Sequence, residues 1–321
     1  MNTQPLSIGI DVSMDELVIA TFDDIQPLIR IPNKPAAIKR WLANLPVQCT
    51  LGMEATGTLH RTLADLAFSA GHRVYVFNPK DVAFYLKSLR VRGKTDLFDA
   101  AGIARYTHNE SAQCHPYAPL SEDHLALTTL IQRRHQVVKQ RASLSMSFSQ
   151  GDASCLSALS TLMKAFEALI AQIDQRLQDL MAADAVMQRK CKLLMGIHGV
   201  GPLVSTTLAL RMSRIHYANS DALVAAVGLD PRPRESGRYV GTRQLSKRGN
   251  PEERRLLYMA AISACRNTPW RTMRDALLSR GLPRTAIYCI IARKILRVAF
   301  AVWNSETPFD PTLIGQPRTQ T

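Results

Sequence analysis

Paired cysteines, an apolar leader and long uninterrupted apolar runs are all missing from this sequence of 321 residues. The cysteines form no C-x-x-C pair, and no histidine stands at metal-ligand spacing from them, which argues against a disulfide scaffold and a zinc site. We interpret them as reduced, mostly buried thiols of a cytoplasmic protein. The six cysteines are Cys49, Cys114, Cys155, Cys191, Cys265 and Cys289.

The sequence begins with Met1-Asn2-Thr3-Gln4, without a basic start or an apolar run, so we expect no secretion signal. Its longest apolar stretches are interrupted by charges such as Arg293-Lys294 and Arg297, and we expect no membrane span. Hydrophobic residues make up 46% of the chain and charged residues 21%, a balance typical of folded protein. A mass of 35.7 kDa predicts two or three domains.

Acidic residues are scarce in the last part of the chain. The whole sequence has 40 Lys and Arg against 26 Asp and Glu, a net charge of +14. Residues 191–321 alone hold 20 basic side chains and 8 acidic ones. Such a field attracts polyanions and indicates nucleic acid, although a merely solubilising basic surface would have the same composition.

The first hundred residues alternate strand and helix patterns. The order strand, strand, strand, helix, strand, helix, helix predicts an α/β domain of the ribonuclease-H type over residues 1–112. Val12–Asp15 has the length of a hairpin turn between the first two strands. The predicted strands are 6–11, 16–22, 48–53 and 72–77, and the predicted helices are 58–70, 81–90 and 96–108.

Residues 113–190 have the pattern of a helical coiled-coil arm. Apolar residues recur at alternating four- and three-residue steps along one helix, and residues 121–147 offer a partner helix after a break at 150–152. Either an intramolecular hairpin or a contact with another subunit would bury that seam. Its members are Leu159, Met163, Phe166, Ile170, Ile173, Leu177 and Leu180.

Residues 191–321 form a third, mainly helical and basic domain. The turn 196–201 has the glycines of a helix-hairpin-helix, whose backbone N–H groups contact phosphate, although a glycine-rich connection without a ligand fits equally well. An arginine-rich loop, 231–250, precedes helices at 251–266 and 285–303. Basic pairs on these helices, such as Arg254-Arg255 and Arg293-Lys294, could follow nucleic acid, whereas we expect Trp270 to pack in the core.

Four acidic residues stand where a metal site could form. Asp11 and Glu54 each end an apolar strand, and Asp96 and Asp99 lie three apart on one helix face. Converging carboxylates suit Mg²⁺, and two such ions can stabilise both oxygens in phosphoryl transfer. Each acid also has a structural interpretation, because Asp96 could cap a helix and Asp11 could close a turn.

These residues resemble the DEDD transposases of insertion-sequence family one-ten, also called bridge-RNA-guided recombinases, to which the pilin-gene invertases are related. The resemblance spans about residues 6–310 and depends on the order and spacing of several short motifs. These are Ile8-Gly9-Ile10-Asp11, Glu54-Ala55-Thr56-Gly57, Lys94-Thr95-Asp96, Asp99-Ala100, Gly228-Leu229, Glu235-Ser236-Gly237 and Ser246-Lys247-Arg248-Gly249-Asn250.

The resemblance implies a RuvC-like first domain and a second domain whose serine attacks DNA. Asp11, Glu54, Asp96 and Asp99 would hold two Mg²⁺ ions, with Mn²⁺ as a substitute, and Ser236 would form a covalent bond to DNA. Target DNA, donor DNA and a bridge RNA would be the partners, in a homodimer or homotetramer that acts at the bacterial nucleoid. The residues assigned to nucleic-acid binding are Arg232, Arg234, Arg238, Arg243, Lys247, Arg248, Gly199 and Gly201.

Two other hypotheses use the same residues. In the first, the four carboxylates activate water in a RuvC-like junction or structure-specific endonuclease, and the C-terminal part only binds DNA. In the second, the protein binds nucleic acid and its catalytic domain is inactive, although the full set of four acids argues against this. Ser236 separates the recombinase from the nuclease, because only the recombinase needs its hydroxyl.

Overall fold

A computed structural model describes residues 5–22, 29–88, 96–148, 156–233, 235–236, 239–241 and 243–314, without the side chains of 96–98, 235–236 and 239–240. The chain divides into two compact units, Met1–Leu120 and Ser121–Thr321.

The first unit is built on a five-stranded mixed sheet in the order β3-β2-β1-β4-β5. Strand β1 is central, antiparallel to β2 and parallel to β4, so the chain leaves β1 and β4 at the same edge of the sheet. Strand β5 continues the parallel half. The strands are β1 Ser7–Val12, β2 Glu16–Thr21, β3 Ile29–Pro32, β4 Thr50–Glu54 and β5 Arg73–Phe77.

Helices cover both faces of this sheet. Alternate residues of β1, such as Ile8 and Ile10, are buried against α1 and α2 on one face. Helix α4 packs on the other face, where Ala100 and Ala101 meet β2. The helices of this unit are α1 Pro35–Leu42, α2 Arg61–Ser69, α3 Pro79–Ser88 and α4 Asp96–Glu110.

The sequence patterns agree with four strands and three helices of this unit, and the mixed α/β character is as predicted. They miss β3 and α1, which lie between the second and third predicted strands. Strand β3 is a short edge strand whose side chains are mostly exposed, so it lacks the apolar alternation on which the prediction depends.

Two long helices, α5 Glu122–Ser147 and α6 Leu156–Ala183, form an antiparallel pair. Arg134 donates to Asp174 at 2.9 Å, and Arg141 lies 3.4 Å from Glu167, which sets the direction of the pairing. All seven predicted seam residues are half-buried or buried, as the intramolecular alternative requires. The predicted break at 150–152 lies outside the described residues.

By length and composition alone, α6 would be able to cross a membrane, but a single helix of this kind is weak evidence for a span. The C-terminal part of α6 packs in the core of the second unit, where Ile173, Leu177 and Met181 are buried with residues of the later helices.

The rest of the second unit is a bundle of shorter helices around one hydrophobic core. Trp270 is fully buried in this core, as expected from the sequence. The five described cysteines are free, and three of them, Cys49, Cys191 and Cys265, are buried. The helices are α7 Ala185–Met195, α8 Pro202–Arg214, α9 Ser220–Val227, α10 Pro251–Ala264, α11 Thr268–Ser279 and α12 Arg284–Ser305.

Candidate active site

Asp11 lies near the carboxyl end of the central strand and is half-buried. Because side chains alternate along a strand, Asp11 shares a face with Gly9 rather than with the buried Ile10. That face is the one covered by α4, since a Cβ on Gly9 would collide with the backbone of Ala100 and Ala104. Asp11 therefore emerges on the α4 side of the sheet.

Glu54 ends the neighbouring parallel strand on the same face. Ile10 pairs with Met53, so Asp11 and Glu54 are the next residues of two strands that lie about 4.8 Å apart. A Cβ on Gly52 would collide with the side chain of Thr107 in α4, which shows that Gly52 and Glu54 face this helix. The two acids thus stand side by side.

Helix α4 runs antiparallel to β1 and brings its first turn to the same sheet edge. Ser7, at the start of β1, lies 3.4 Å from the ring of His108 near the end of α4. Val18, which pairs with Asp11, packs against Ala100 and Ala101 near the start of the helix. Asp99 is half-buried just before these residues, and Asp96 is the first residue of the helix.

The described side chains do not form a complete metal site. Among them, no three His, Cys, Asp or Glu are close enough to hold a metal ion. The side chain of Asp96, the fourth acid, lies outside the description. In their chemistry, the carboxylates of Asp11, Glu54 and Asp99 fit a hard divalent cation.

The arginine-rich segment predicted as a loop is instead a hairpin. Strands β6 Pro231–Arg232 and β9 Gln244–Leu245 pair at its base, and β7 Glu235–Ser236 pairs with β8 Tyr239–Val240 further out. Each strand is only two residues long, and Pro231, Arg232 and Glu235 have little strand preference, so the sequence pattern predicted no strand. Ser236 lies in β7, opposite Tyr239, and its side chain is outside the description.

Basic side chains surround the base of this hairpin. Arg232, Arg243, Lys247 and Arg248 are exposed, and the Nε of Arg232 lies 3.5 Å from Asp230. Their positive field would attract a phosphate to this part of the surface. The predicted contacts Arg234 and Arg238 lie outside the described residues.

The glycine turn between α7 and α8 presents its two predicted contact residues differently. Gly199 has φ +86° and faces α10, because a Cβ there would collide with the carbonyl oxygen of Ala260. Gly201 precedes α8 with open space around its Cα, and no side chain caps the helix. Only Gly201 is open to a ligand on the side where a Cβ would stand.

The basic helices meet the expectation of a nucleic-acid surface only in part. Arg254 turns inward and donates to the carbonyl oxygens of Val227 and Gly249, whereas Arg255 pairs with Glu252 in its own helix. Arg297 pairs with Asp221. One guanidinium nitrogen of Arg254 is thus engaged by the backbone, and the expectation that these basic pairs follow nucleic acid stays a prediction.

Sequence reasoning missed Gly9 and Gly52, which allow α4 to approach the sheet so closely. A signal was present, since each glycine stands two residues before an acid in Gly9-Ile10-Asp11 and Gly52-Met53-Glu54. The period of two places each glycine and its acid on one face.

Comparison with known proteins matches two stretches of the chain to transposase family models. Residues 8–156 match a family model described as a transposase, the DEDD type of IS110 elements. Residues 191–275 match a model described as the transposase IS116/IS110/IS902 family.

Named relatives agree with these family matches. A pilin gene-inverting protein of Moraxella bovis is 28% identical over 80% of this chain and 81% of its own length. The transposase for insertion sequence element IS1328 of Yersinia enterocolitica is 26% identical over 85% of this chain and 88% of its own. A probable family 20 transposase of Pseudomonas aeruginosa is 25% identical over 95% and 98%.

The fold, the paired strand-end acids and these matches define a DNA transposase or recombinase. The chain belongs to the IS110 family of transposases.

Proposed function

We propose that this protein cuts and rejoins DNA strands through a covalent bond between Ser236 and DNA, with Asp11, Glu54, Asp96 and Asp99 as the ligands of divalent metal. The observation that carries the proposal is the position of Asp11 and Glu54 at one edge of the sheet, beneath the first turn of α4. Carboxylates grouped in this way would hold divalent cations, which would stabilise the negative charge that develops in phosphoryl transfer.

The number of phosphoester bonds stays the same through the serine step. The Ser236 oxygen attacks a DNA phosphorus, its proton is lost, and the bond to one deoxyribose oxygen breaks, which leaves that oxygen as a hydroxyl. A hydroxyl on a different strand then attacks the phosphoserine, and the serine regains a proton. Because each step replaces one phosphoester by another, strand exchange needs no ATP.

The basic side chains support this assignment electrostatically. Arg232 and Arg243 lie at the paired base of the hairpin, and Lys247 and Arg248 follow it directly. They would hold the scissile phosphate and offset the negative charge that develops on its oxygens. We also assign Arg234, Arg238, Gly199 and Gly201 to nucleic-acid contacts, with the open turn at Gly201 as the site for a backbone phosphate.

The carboxylates have a separate task. When bound, one or two Mg²⁺ ions, or Mn²⁺ in their place, would stabilise the attacking and leaving oxygens. Asp11 and Glu54 would contribute rigid ligands from the sheet, and Asp96 and Asp99 would contribute ligands from the helix. The first unit would have a RuvC-like fold.

The proposal also assigns separate roles to the RNA and to the protein. Base pairing by a bridge RNA would select target and donor DNA, and the protein would recognise backbone and shape. We assign the protein to the cytoplasm, at the nucleoid when it acts. It would work as a homodimer or homotetramer, in which carboxylates and serine of different subunits complete one site.

The test is a search for DNA covalently attached to protein. Purified protein is incubated with Mg²⁺, labelled target and donor DNA and the RNA encoded beside its gene, and the products are separated on a denaturing gel. We expect an adduct that Ser236→Ala abolishes, that Asp11→Asn abolishes, and that disappears without the RNA. Ser279→Ala is the control in the second unit, because Ser279 is exposed at the end of α11. Asp65→Asn is the control in the first unit, because Asp65 is exposed on α2, which covers the face of the sheet opposite to α4.

Free nicked DNA at equal levels in wild type and Ser236→Ala would overturn the serine step. It would instead establish the metal-dependent junction or structure-specific nuclease. An adduct that forms equally well without RNA would retain the serine step and remove the guide from the proposal.

A further inference from the structure

We propose that Arg254 is a positioning residue that fixes the base of the hairpin carrying Ser236, and this inference rests on the proposed role of that serine. It acts on the backbone and not on DNA. Its role is to define where the outer part of the hairpin points.

One nitrogen of Arg254 joins the two ends of the segment. Its Nη1 donates to the carbonyl oxygen of Val227 at 3.1 Å and to that of Gly249 at 2.5 Å. Val227 is the last residue of α9, and Gly249 stands just before Asn250, the residue that caps α10. A single side chain therefore connects the helix that enters the hairpin to the helix that leaves it.

Backbone contacts continue this connection toward the hairpin. The N–H of Lys247 donates to the carbonyl of Gly228 at 3.1 Å, and the N–H of Ser246 donates to that of Asp230 at 3.0 Å. The Ser246 hydroxyl also donates to the Asp230 carboxylate. These bonds form a ladder from Arg254 to the first strand pair, at Pro231 and Leu245.

The two segments approach too closely for a side chain between them. Gly228 has φ +77°, in the left-handed region, and a Cβ there would lie 2.6 Å from the backbone nitrogen of Arg248. A Cβ on Gly249 would collide with the carbonyl of Ala226 and lie 2.5 Å from the backbone of Val227. Arg254 holds this close crossing from the side of α10.

The charge of Arg254 suits this task. Burial lowers its pKa and Glu253 raises it, and the net direction is downward. The ordinary value is far above neutrality, so the guanidinium stays protonated and donates charge-assisted hydrogen bonds, which are stronger than neutral ones. The carbonyls that it contacts would otherwise lack this donor.

The position of the outer strands should depend on the hydrogen bonds that Arg254 makes at the base. The described strands are only two residues long, and Ser236 lies in the outer pair. Because β7 lies between β6 and β9 along the chain, we expect a displacement of the base to displace Ser236 as well. Because a misplacement of about 1 Å can reduce a rate about 100-fold, loss of the anchor should slow chemistry more than it weakens binding.

The experiment compares Arg254→Met and Arg254→Lys with wild type and with Arg271→Met. Methionine keeps much of the side-chain volume without a donor, and lysine keeps the charge and can donate to both carbonyls. Arg271 is the matched control, because it also donates to a backbone carbonyl of the second unit, that of Arg266, but lies away from the hairpin.

Three quantities are measured in each variant: hydrogen exchange of the peptide 228–250, the single-turnover rate of adduct formation at saturating DNA, and the Kd for DNA. For Arg254→Met we expect exchange at least about 10-fold faster, adduct formation about 100-fold slower, and a Kd within about 3-fold of wild type. Arg254→Lys should restore part of the rate, and Arg271→Met should match wild type in all three.

Each contrary result has a defined meaning. Unchanged exchange in 228–250, or a Kd that weakens as much as the rate falls, overturns the positioning role. Faster exchange together with a wild type that forms no Ser236-dependent adduct supports the anchor and overturns the serine chemistry. If Arg254→Met also loses protection in α12, Arg254→Lys decides, because it retains a donor for the two carbonyls. Partial recovery of the rate and of protection in 228–250 supports the anchor, and no recovery of either, with α12 protected as in wild type, overturns it.

Discussion

The two units hold their candidate chemistry on different kinds of support. Asp11 and Glu54 directly follow Ile10 and Met53, both of which are fully buried in a sheet covered on both faces. Ser236 lies on a hairpin with two-residue strands, joined to the helical core through hydrogen bonds at its base. Core packing fixes the acids, whereas a few polar contacts fix the serine.

This difference predicts different responses to mutation. Fully buried strands open only with the unit as a whole, but a short hairpin opens locally at lower free energy. Changes near the acids should therefore act on chemistry or on the whole fold, and changes near the serine on orientation.

The largest effect should come from removing one charge at the sheet edge. Glu54→Gln keeps the side-chain size, so we expect adduct formation to fall at least about 100-fold, with no loss of thermal stability. Single-turnover assays and thermal unfolding of the same preparation measure the two quantities. The prediction is contradicted if the variant keeps near wild-type activity, or if Asp65→Asn, an exposed change on α2 at the opposite face of the sheet, loses as much.

A smaller effect, on stability, should follow from Gly9→Ala. The added methyl group meets the backbone of α4, which cannot yield as a flexible side chain would, so the first unit should lose about 1–3 kcal/mol of unfolding free energy. Hydrogen exchange of peptides from each unit during urea titration measures this. Gly201→Ala is the control, since nothing lies within 4 Å of its added Cβ, and it should change stability by less than about 1 kcal/mol. Equal losses in the two variants would remove the argument for a helix seated directly on the sheet.

The smallest effect concerns pH and the second unit. Cys191 is 6% exposed and lines a cavity of about 330 Å³ together with Ser205 and Thr206. Burial raises the pKa of its thiol from 9.0 to about 11, against smaller opposing hydrogen bonds from Ser205 and Thr206.

Because the folded pKa is the higher one, the stabilisation from a neutral Cys191 is complete below about pH 9 and is lost as pH rises toward 11. Wild type should therefore lose about 1–2 kcal/mol more than Cys191→Ala between pH 8 and pH 10.5. Urea unfolding at both pH values measures the difference. Parallel pH profiles for the two proteins would show that the thiol does not contribute.

The same contrast explains what could be predicted from sequence. Asp11 and Glu54 end runs of apolar residues, and burial of those runs is a strong signal that also locates the sheet edge. The stripe on α6 is equally regular, and its inward direction follows from periodicity alone. Regular elements with a buried face are visible because burial imposes a period.

Features held by polar contacts gave no such signal. Strand β3 lies at an exposed edge, and the hairpin strands contain Pro231, Arg232 and Glu235, residues without strand preference. Arg254 looked like one more surface cation, because its partners are backbone carbonyls whose position depends on the tertiary fold.

The glycines beneath α4 also determine how far this helix lies from the sheet. Gly9 and Gly52 place no side chain between the sheet and α4. The separation of helix and sheet is therefore set by main-chain contact and by the small residues Ala100 and Ala104. A larger residue at Gly9 or Gly52 would move α4, and with it Asp96 and Asp99, away from Asp11 and Glu54. In the proposed site, the distance between the acids of the helix and those of the sheet therefore depends on the absence of a Cβ at Gly9 and Gly52. A substitution at either glycine would change that distance without changing any acid.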